Sequence, residues 1–240
     1  MTEAFSLRPD VEALSPNREP RADGRAPDLV ILHYTGMATA QAALDRLRDP
    51  EAKVSAHYLI DQDGALFGLA PEAERAWHAG VSSWRDDRDV NSRAIGIEIV
   101  NPGHPWEDSP AGYSPFPEPQ MAALERVLSA VLARWDIAPA GVLGHSDVAP
   151  GRKIDPGEKF DWARLARRGL AETTPAPAPA DGAEDPAAFR AALAACGYGD
   201  WPDAALLDAF RRRFRPTALG RAFEAADARL AKALAARKAQ

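Results

Sequence analysis

The sequence has a single cysteine, Cys196, among 240 residues. It cannot form an internal disulfide, so nothing in the chain calls for an oxidising compartment. No apolar run approaches the ~20 residues of a membrane-spanning helix. The opening stretch MTEAFSLRPDVEALSPNREPRADGRAP has no basic segment followed by an apolar core. No export signal is read there, and the expected location is the cytoplasm, with the cell envelope by an unrecognised route as the alternative. No lipidation motif is evident. Positive charge is not in excess: 29 Lys and Arg stand against 35 Asp and Glu, for a net charge of −6. A broad nucleic-acid footprint is therefore not expected. A G-x-S-x-G nucleophile motif is absent, and Cys196 lies near the C-terminal end, so neither a serine nor a cysteine nucleophile is indicated.

What is present reads as a soluble globular chain: 46% hydrophobic and 27% charged residues, enough to bury a core. Residues 171–185 are rich in Pro, Ala and acid. That composition predicts an extended, semi-rigid linker between a body, residues 1–170, and a tail, residues 186–240. The body alternates strand and helix patterns. Leu29 to Leu32 is a continuous apolar run, as in a central strand buried on both faces. Val54 to Ile60 reads as a strand, joined through Asp61-Gln62-Asp63-Gly64 to a second strand, Ala65 to Leu69. Ile95, Ile97 and Ile99 mark a strand with one oily face. Met121, Leu124, Val127, Leu128, Val131 and Leu132 have helical spacing, with Pro119 near the start. Val142-Leu143 is a brief last strand. The expected class is α/β, a mixed central sheet flanked by helices, followed by a small three-helix tail. Phe189 and Leu193 belong to the first tail helix, ended by Gly197. Leu206, Leu207, Phe210 and Phe214 belong to the second, and Phe223, Leu230 and Leu234 to the third.

There are only five histidines. His33 directly follows the strand Leu29–Leu32, and His145 directly follows Val142-Leu143. If these strands lie close in one sheet, both imidazoles emerge at the same edge. Asp155 can return to them on the Pro- and Gly-rich stretch GHSDVAPGRKIDPG, residues 144–157. Two imidazoles and a carboxylate suit a catalytic zinc, with one position left for water. The bland reading is that each histidine is a hydrogen-bonded structural residue. No short His-x-x-x-His spacing argues against that.

Five segments change the balance: ILHYTGM (31–37), VSAHYLIDQDG (54–64), AWHAGVSSWR (76–85), NSRAIGIEIVNPG (91–103) and GHSDVAPGRKIDPG (144–157). Together and in this order they resemble the zinc-dependent N-acetylmuramoyl-L-alanine amidases of the type 2 amidase family, relatives of the peptidoglycan recognition proteins. The resemblance implies one zinc ion on His33, His145 and Asp155. It implies Glu98 as the catalytic glutamate and Lys153 as the catalytic lysine. A carboxylate at Glu98 can take a proton from water and pass it to the leaving amine. An ammonium at Lys153 can stabilise the developing oxyanion. His57, Trp77, His78, Asn91 and Arg93 sit inside the matching segments. Each is a candidate substrate contact, with packing or strand capping as the alternative. His104 has no motif support and reads as a loop residue.

The implied reaction is hydrolysis of the amide between the lactyl group of N-acetylmuramic acid and L-alanine. The implied partners are anhydro-muropeptides, in cell-wall recycling. The tail segments AALAACGYGDW and LLDAFRRRFRPTALG resemble a small peptidoglycan-binding helical domain, which points instead to intact wall. Arg211, Arg212, Arg213 and Arg215 are then contacts for an acidic stem peptide, or a solvated face. A non-catalytic muropeptide-binding protein is the reading from another class, and it predicts a lost ligand residue. All three candidate ligands are present.

Overall fold

The computed structural model describes residues 8–105, 113–180 and 184–238. The first seven residues of the opening stretch and residues 181–183 of the linker lie outside this set. In chain order the elements are β1 (Val11–Glu12), β2 (Arg18–Pro20), β3 (Leu29–Tyr34), α1 (Ala40–Arg48), β4 (Tyr58–Ile60), β5 (Leu66–Gly68), β6 (Glu74–Ala76), β7 (Ala94–Ile99), α2 (Glu118–Trp135), β8 (Val142–Gly144), α3 (His145–Val148), α4 (Trp162–Arg167), α5 (Pro186–Cys196), α6 (Asp203–Phe214) and α7 (Ala225–Lys238).

Six strands form one sheet in the order β1-β5-β4-β7-β3-β8, and β2 pairs with β6 apart from it. The three strands β7, β3 and β8 are parallel neighbours. The hairpin expected across Asp61–Gly64 is present, with β4 antiparallel to β5. The longer strand expected over 54–60 is paired as a ladder only at Tyr58–Ile60. Ahead of it the chain bonds elsewhere: Ser55 N donates to Trp77 O at 3.0 Å and His57 N to Gly96 O at 2.9 Å.

Side-chain alternation divides the sheet into two faces. Val30, Leu32, Ile95, Ile97 and Ile99 point to one face, where they pack on Leu124, Val127, Leu128 and Val131 of α2. Each such apolar side chain, fully buried, contributes about 1.5–3 kcal/mol of transfer free energy. Pro119 sits in the first turn of α2, where its missing N–H costs nothing, and Asp136 ends the helix in a left-handed conformation.

The other face carries Leu29, Ile31, Ala94 and Leu143, and these pack with the tail: Phe189, Leu193, Leu206, Phe210, Leu230 and Leu234 share their cluster. The tail helices therefore continue the body's core. The first of them, α5, is built as its sequence suggests: Asp185 accepts from Ala188 N, Pro186 opens the helix, and Gly197 closes it at φ 112°. Phe223 falls just before α7 rather than within it, and still packs against the cluster. The linker lies along α7, with Ala178 N donating to Arg229 O at 3.1 Å and Arg237 to Thr173 Oγ1 at 2.6 Å. Toward β4 the same face is covered by α1, whose Ala43, Leu44 and Leu47 pack on Leu59, Leu69 and Val100. Among the described residues no helix is long and apolar enough to cross a membrane.

The four tail arginines are not a solvated face. Arg211 is fully buried and paired with Asp227, Arg213 is buried on Asp147, Arg212 meets Glu158, and Arg215 meets Glu224 and Asp227. A buried guanidinium needs such partners, and the body and α7 supply them.

Candidate metal centre and cleft

Parallel pairing sets up the site. On β3 and β7, His33 stands opposite Glu98. On β3 and β8 the last paired residues are Leu32 and Gly144, so His145 is the next step after the strand. Side chains paired in register share a face. Three adjacent strands thus deliver Glu98, His33 and His145 side by side at their carboxyl ends, the usual ligand edge of a parallel sheet. The face is the one that α1 and the tail helices flank.

Asp155 completes the cluster from the loop after α3. His33 Nδ1 lies 2.9 Å from His145 Nδ1, and both lie 3.0 Å from Asp155 Oδ2. All three residues are buried. One of the remaining ring contacts fixes a tautomer. His145 Nε2–H donates to Ala79 O at 3.0 Å, which leaves its Nδ1 without that proton, and His33 Nε2 lies 3.1 Å from His78 Nδ1. With the His33 proton on Nε2, both Nδ1 lone pairs would face the carboxylate oxygen as metal ligands; a proton on Nδ1 instead makes a hydrogen bond to Asp155. Such a triangle of ligand atoms is held together by a cation at its centre or by a shared proton. Ligand atoms bound to one ion at about 2.0–2.2 Å stand roughly 3 Å apart, so the set fits a metal ion.

The electrostatics agree. Burial, reinforced by His145, pushes His33 down to about 4, so its imidazole is neutral at pH 7, the form that can bind a metal. Burial opposes the charge on Asp155, but His145 and His33 overcome this and hold its carboxyl well below the ordinary range. Glu98 goes the other way: burial, with the negative charge of Asp155, pushes it well above the ordinary range, against the pull of Lys153. Its Oε2 is buried and has no hydrogen-bond partner among the described residues.

These groups open into a cleft of about 600 Å³. Glu98, Lys153, Trp77 and His78 all line it, together with the three ligand residues. His78 is held by Asn91, whose Oδ1 accepts from His78 N at 3.1 Å and Ala79 N at 2.8 Å. Burial pushes the His78 imidazole well below its ordinary value. Gly96 makes room for that ring: a Cβ there would lie 2.4 Å from His78 Cγ.

The other candidate contacts are placed elsewhere. His57 is fully buried behind His78; its Nδ1 accepts from Gly96 N at 2.9 Å and its Nε2 lies 3.0 Å from Glu74 O. Asn91 is outside the cleft lining and acts through His78. Arg93 sits at the start of β7, away from the ligand edge, donating to Asp28 Oδ1 at 2.9 Å. Three further cleft residues with polar side chains, Arg46 of α1, Arg152 and His104, carry no role in the sequence analysis. Arg152 donates to Ala79 O at 2.6 Å and Val81 O at 2.7 Å, and its Nη2 lies 3.3 Å from His145 Nε2. His104, read as a loop residue, lines the cleft, with Nδ1 3.1 Å from Tyr34 OH and Nε2 2.9 Å from Glu158. Arg152 stands next to Lys153 in the motif, which is a usable signal; nothing local marks His104.

Three convergent residues that could hold a metal ion, beside a carboxyl oxygen without a hydrogen-bond partner among the described residues and a lysine, form a layout that suits hydrolysis. The chain belongs to the N-acetylmuramoyl-L-alanine amidase family, whose model matches residues 23–158. It is similar to the N-acetylmuramoyl-L-alanine amidase AmiD of Escherichia coli, with 34% identity over 79% of this chain and 75% of the relative. It is also similar to the 1,6-anhydro-N-acetylmuramyl-L-alanine amidase AmpD of that organism, with 34% identity over 67% of this chain and 92% of the relative. Among solved structures, AmpDh3 of Pseudomonas aeruginosa in complex with an anhydromuramic pentapeptide matches with a TM-score of 0.77 and 29% identity. That match covers 99% of this chain and 98% of the other, so it includes the tail helices.

Proposed function

We propose that the protein hydrolyses the lactyl–L-alanine amide of 1,6-anhydro-N-acetylmuramyl peptides in cell-wall recycling, with one zinc ion on His33, His145 and Asp155. The observation that carries this reading is the register pair His33–Glu98: it sets an unpartnered buried carboxyl oxygen beside three convergent ligand atoms. A bound zinc ion acidifies water towards pKa ~7 and polarises carbonyl oxygens.

The chain's own residues do the rest. Glu98 takes the proton of the attacking water and returns it to the leaving alanine nitrogen. Its raised pKa suits a group that must both accept and donate near neutral pH. Lys153 places positive charge at the amide oxygen as the carbonyl carbon becomes tetrahedral. His78 keeps His33 oriented through its Nε2–H, and Asn91 keeps His78 in place. The exposed Arg46 at the cleft suits a carboxylate of a stem peptide, and Arg152, whose Nε and Nη2 are held by backbone carbonyls, has its Nη1 left to offer. Trp77 offers the sugar a ring surface. The named substrates of AmpD and the ligand bound by AmpDh3 support the anhydro sugar. A cytoplasmic location goes with this reading, and cell fractionation tests it.

The experiment is incubation of zinc-loaded protein with 1,6-anhydro-N-acetylmuramyl-tripeptide and, in parallel, with intact sacculi, with and without a chelator. Mass spectrometry should find chelator-sensitive release of free tripeptide from the soluble fragment. Equal release from sacculi would make the wall the substrate. No release from either would overturn the enzyme reading in favour of a muropeptide-binding protein.

A further inference from the structure

Asp147 lies two residues beyond His145 and is buried. Three groups donate to it: Gly144 N to Oδ2 at 2.8 Å, Tyr198 OH to Oδ1 at 2.6 Å, and Arg213 Nη1 to Oδ2 at 2.7 Å. The first bond ties Asp147 to the residue just before His145. The other two come from the tail. Arg213 also donates to Val142 O at 2.9 Å, in β8, and its guanidinium lies 4.3 Å over the Trp162 ring. Its neighbour Arg212 donates to Glu158 Oε2 at 2.9 Å, three residues beyond Asp155. Glu158 in turn accepts from His104, which contacts the hydroxyl of Tyr34 on the cleft wall.

Two adjacent arginines of α6 thus hold carboxylates at the two ends of one loop. Between them the loop touches the start of the same helix: a Cβ on Gly151 would lie 2.9 Å from Ala205 Cβ. The facing wall is tied to the tail as well. Trp201 Nε1 donates to Ser83 Oγ at 3.0 Å, and Ser83 N donates to Val148 O at 2.8 Å. The loop from Gly144 to Glu158 carries His145, Lys153 and Asp155, and α3 is its only regular element. Its shape therefore depends on what it is bolted to.

We propose that α6 is a brace for the metal-ligand loop, with Arg213 and Arg212 as positioning residues that act on zinc affinity through Asp147 and Glu158. The proposal rests on the assignment of His145 and Asp155 to zinc made above. It gives the tail a part in the chemistry of the body, whatever else it binds. The buried Asp147 charge needs the Arg213 cation, and the fork geometry of the guanidinium fixes direction as well as distance.

The test uses full-length protein and four variants: Arg213→Met, Arg213→Lys, Arg212→Gln and, as a control, Arg229→Gln. Arg229 lies on α7, where its guanidinium pairs with Glu184 and not with the loop. Zinc dissociation constants come from chelator competition. Amide hydrogen exchange of residues 145–155 is measured on the metal-free protein, and kcat and KM on the soluble muropeptide. Arg213→Met and Arg212→Gln should weaken zinc binding roughly ten- to a hundredfold, the range seen when partners of ligand residues are removed. They should also raise exchange across residues 145–155 and lower kcat more than they raise KM. Arg213→Lys should recover part of each effect, and Arg229→Gln should match the parent protein. If Arg213→Met does not fold, Arg212→Gln at the more open end decides. Zinc affinity and loop exchange in Arg212→Gln and Arg213→Met within twofold of Arg229→Gln would overturn the brace. Lack of turnover by the parent protein would instead count against the amidase reading, and the exchange comparison would still decide the brace.

Discussion

Glu98 pairs with His33 in the parallel register of β7 and β3. The pairing makes the distance between candidate base and candidate ligand a property of the sheet rather than of a loop. Ladder hydrogen bonds on both strands resist any change in it. A group held this way needs no reorganisation at the moment of reaction, which is where preorganised sites gain their rate.

Removing the base should therefore separate chemistry from metal binding. Glu98→Gln keeps the shape of the side chain and takes no part in the ligand triangle. We expect zinc content to be unchanged by elemental analysis and kcat to fall about 10²–10⁴-fold, the usual contribution of a general base. Zinc lost along with activity would make Glu98 a ligand instead.

The ligands should behave in the opposite way. His145→Ala removes one corner of a triangle whose sides are 2.9–3.0 Å. The expected result is zinc below stoichiometric amounts after gel filtration, and activity at the level of chelator-treated protein. A variant that retains one zinc per chain with full turnover would refute the assignment.

Lys153→Met tests the oxyanion role. The loss of one preorganised charge at a developing oxyanion is expected to lower kcat about 10²–10³-fold. KM should change little, because the charge is used in the transition state rather than in binding. A rise in KM alone would make Lys153 a substrate-binding residue.

Much of this arrangement is readable in the sequence, for a local reason. Leu29–Leu32 and Val142-Leu143 are short apolar runs that stop at a histidine, and a parallel sheet turns such stops into one edge. The alternation of Ile95, Ile97 and Ile99 likewise places Glu98 on the opposite face. Other features leave no such trace. Strands β1, β2 and β6 have only two or three residues, too few to display a period. The Ala-rich helix α1 has few large apolar residues to mark its buried face. The linker looks like a separator because Pro and Ala set its stiffness, but composition does not say what the next segment packs on. The sheet face carrying Leu29, Ile31 and Leu143 needed a cover, and the tail provides it. Arg211 and Arg213 read as surface residues because charge usually is; their partners Asp227 and Asp147 are distant in sequence or hidden in another motif.

Gly96 offers a steric test of His78. With a Cβ 2.4 Å from Cγ of the ring, Gly96→Ala cannot be accommodated without moving His78. Overpacking of this kind typically costs about 1–3 kcal/mol, so the melting temperature should drop. Moving His78 also releases the Nε2–H of His33, so zinc affinity should fall alongside. Gly96→Ala with unaltered zinc affinity would show that His33 is oriented without His78.

The buried histidine His57 gives the last prediction, and its sign follows from linkage. Burial pushes its folded-state value down from 6.5 to about 4, against the raising effect of Glu74 O. Between pH 6.5 and 4 the unfolded chain therefore binds a proton at this position that the folded chain refuses. Where the unfolded state binds more protons, stability rises with pH. The metal-free protein should be fully supported by neutral His57 above pH 6.5 and should lose that support progressively as pH falls towards 4. A depression of this size corresponds to about 3 kcal/mol. His57→Gln carries no titrating group, so it should be less stable than the parent at pH 7.5 through loss of the Gly96 and Glu74 contacts. Its urea midpoint should also fall less steeply on acidification. Parallel midpoint curves for the two proteins from pH 7.5 to 4 would mean that His57 takes up its proton in the folded state as readily as in the unfolded one.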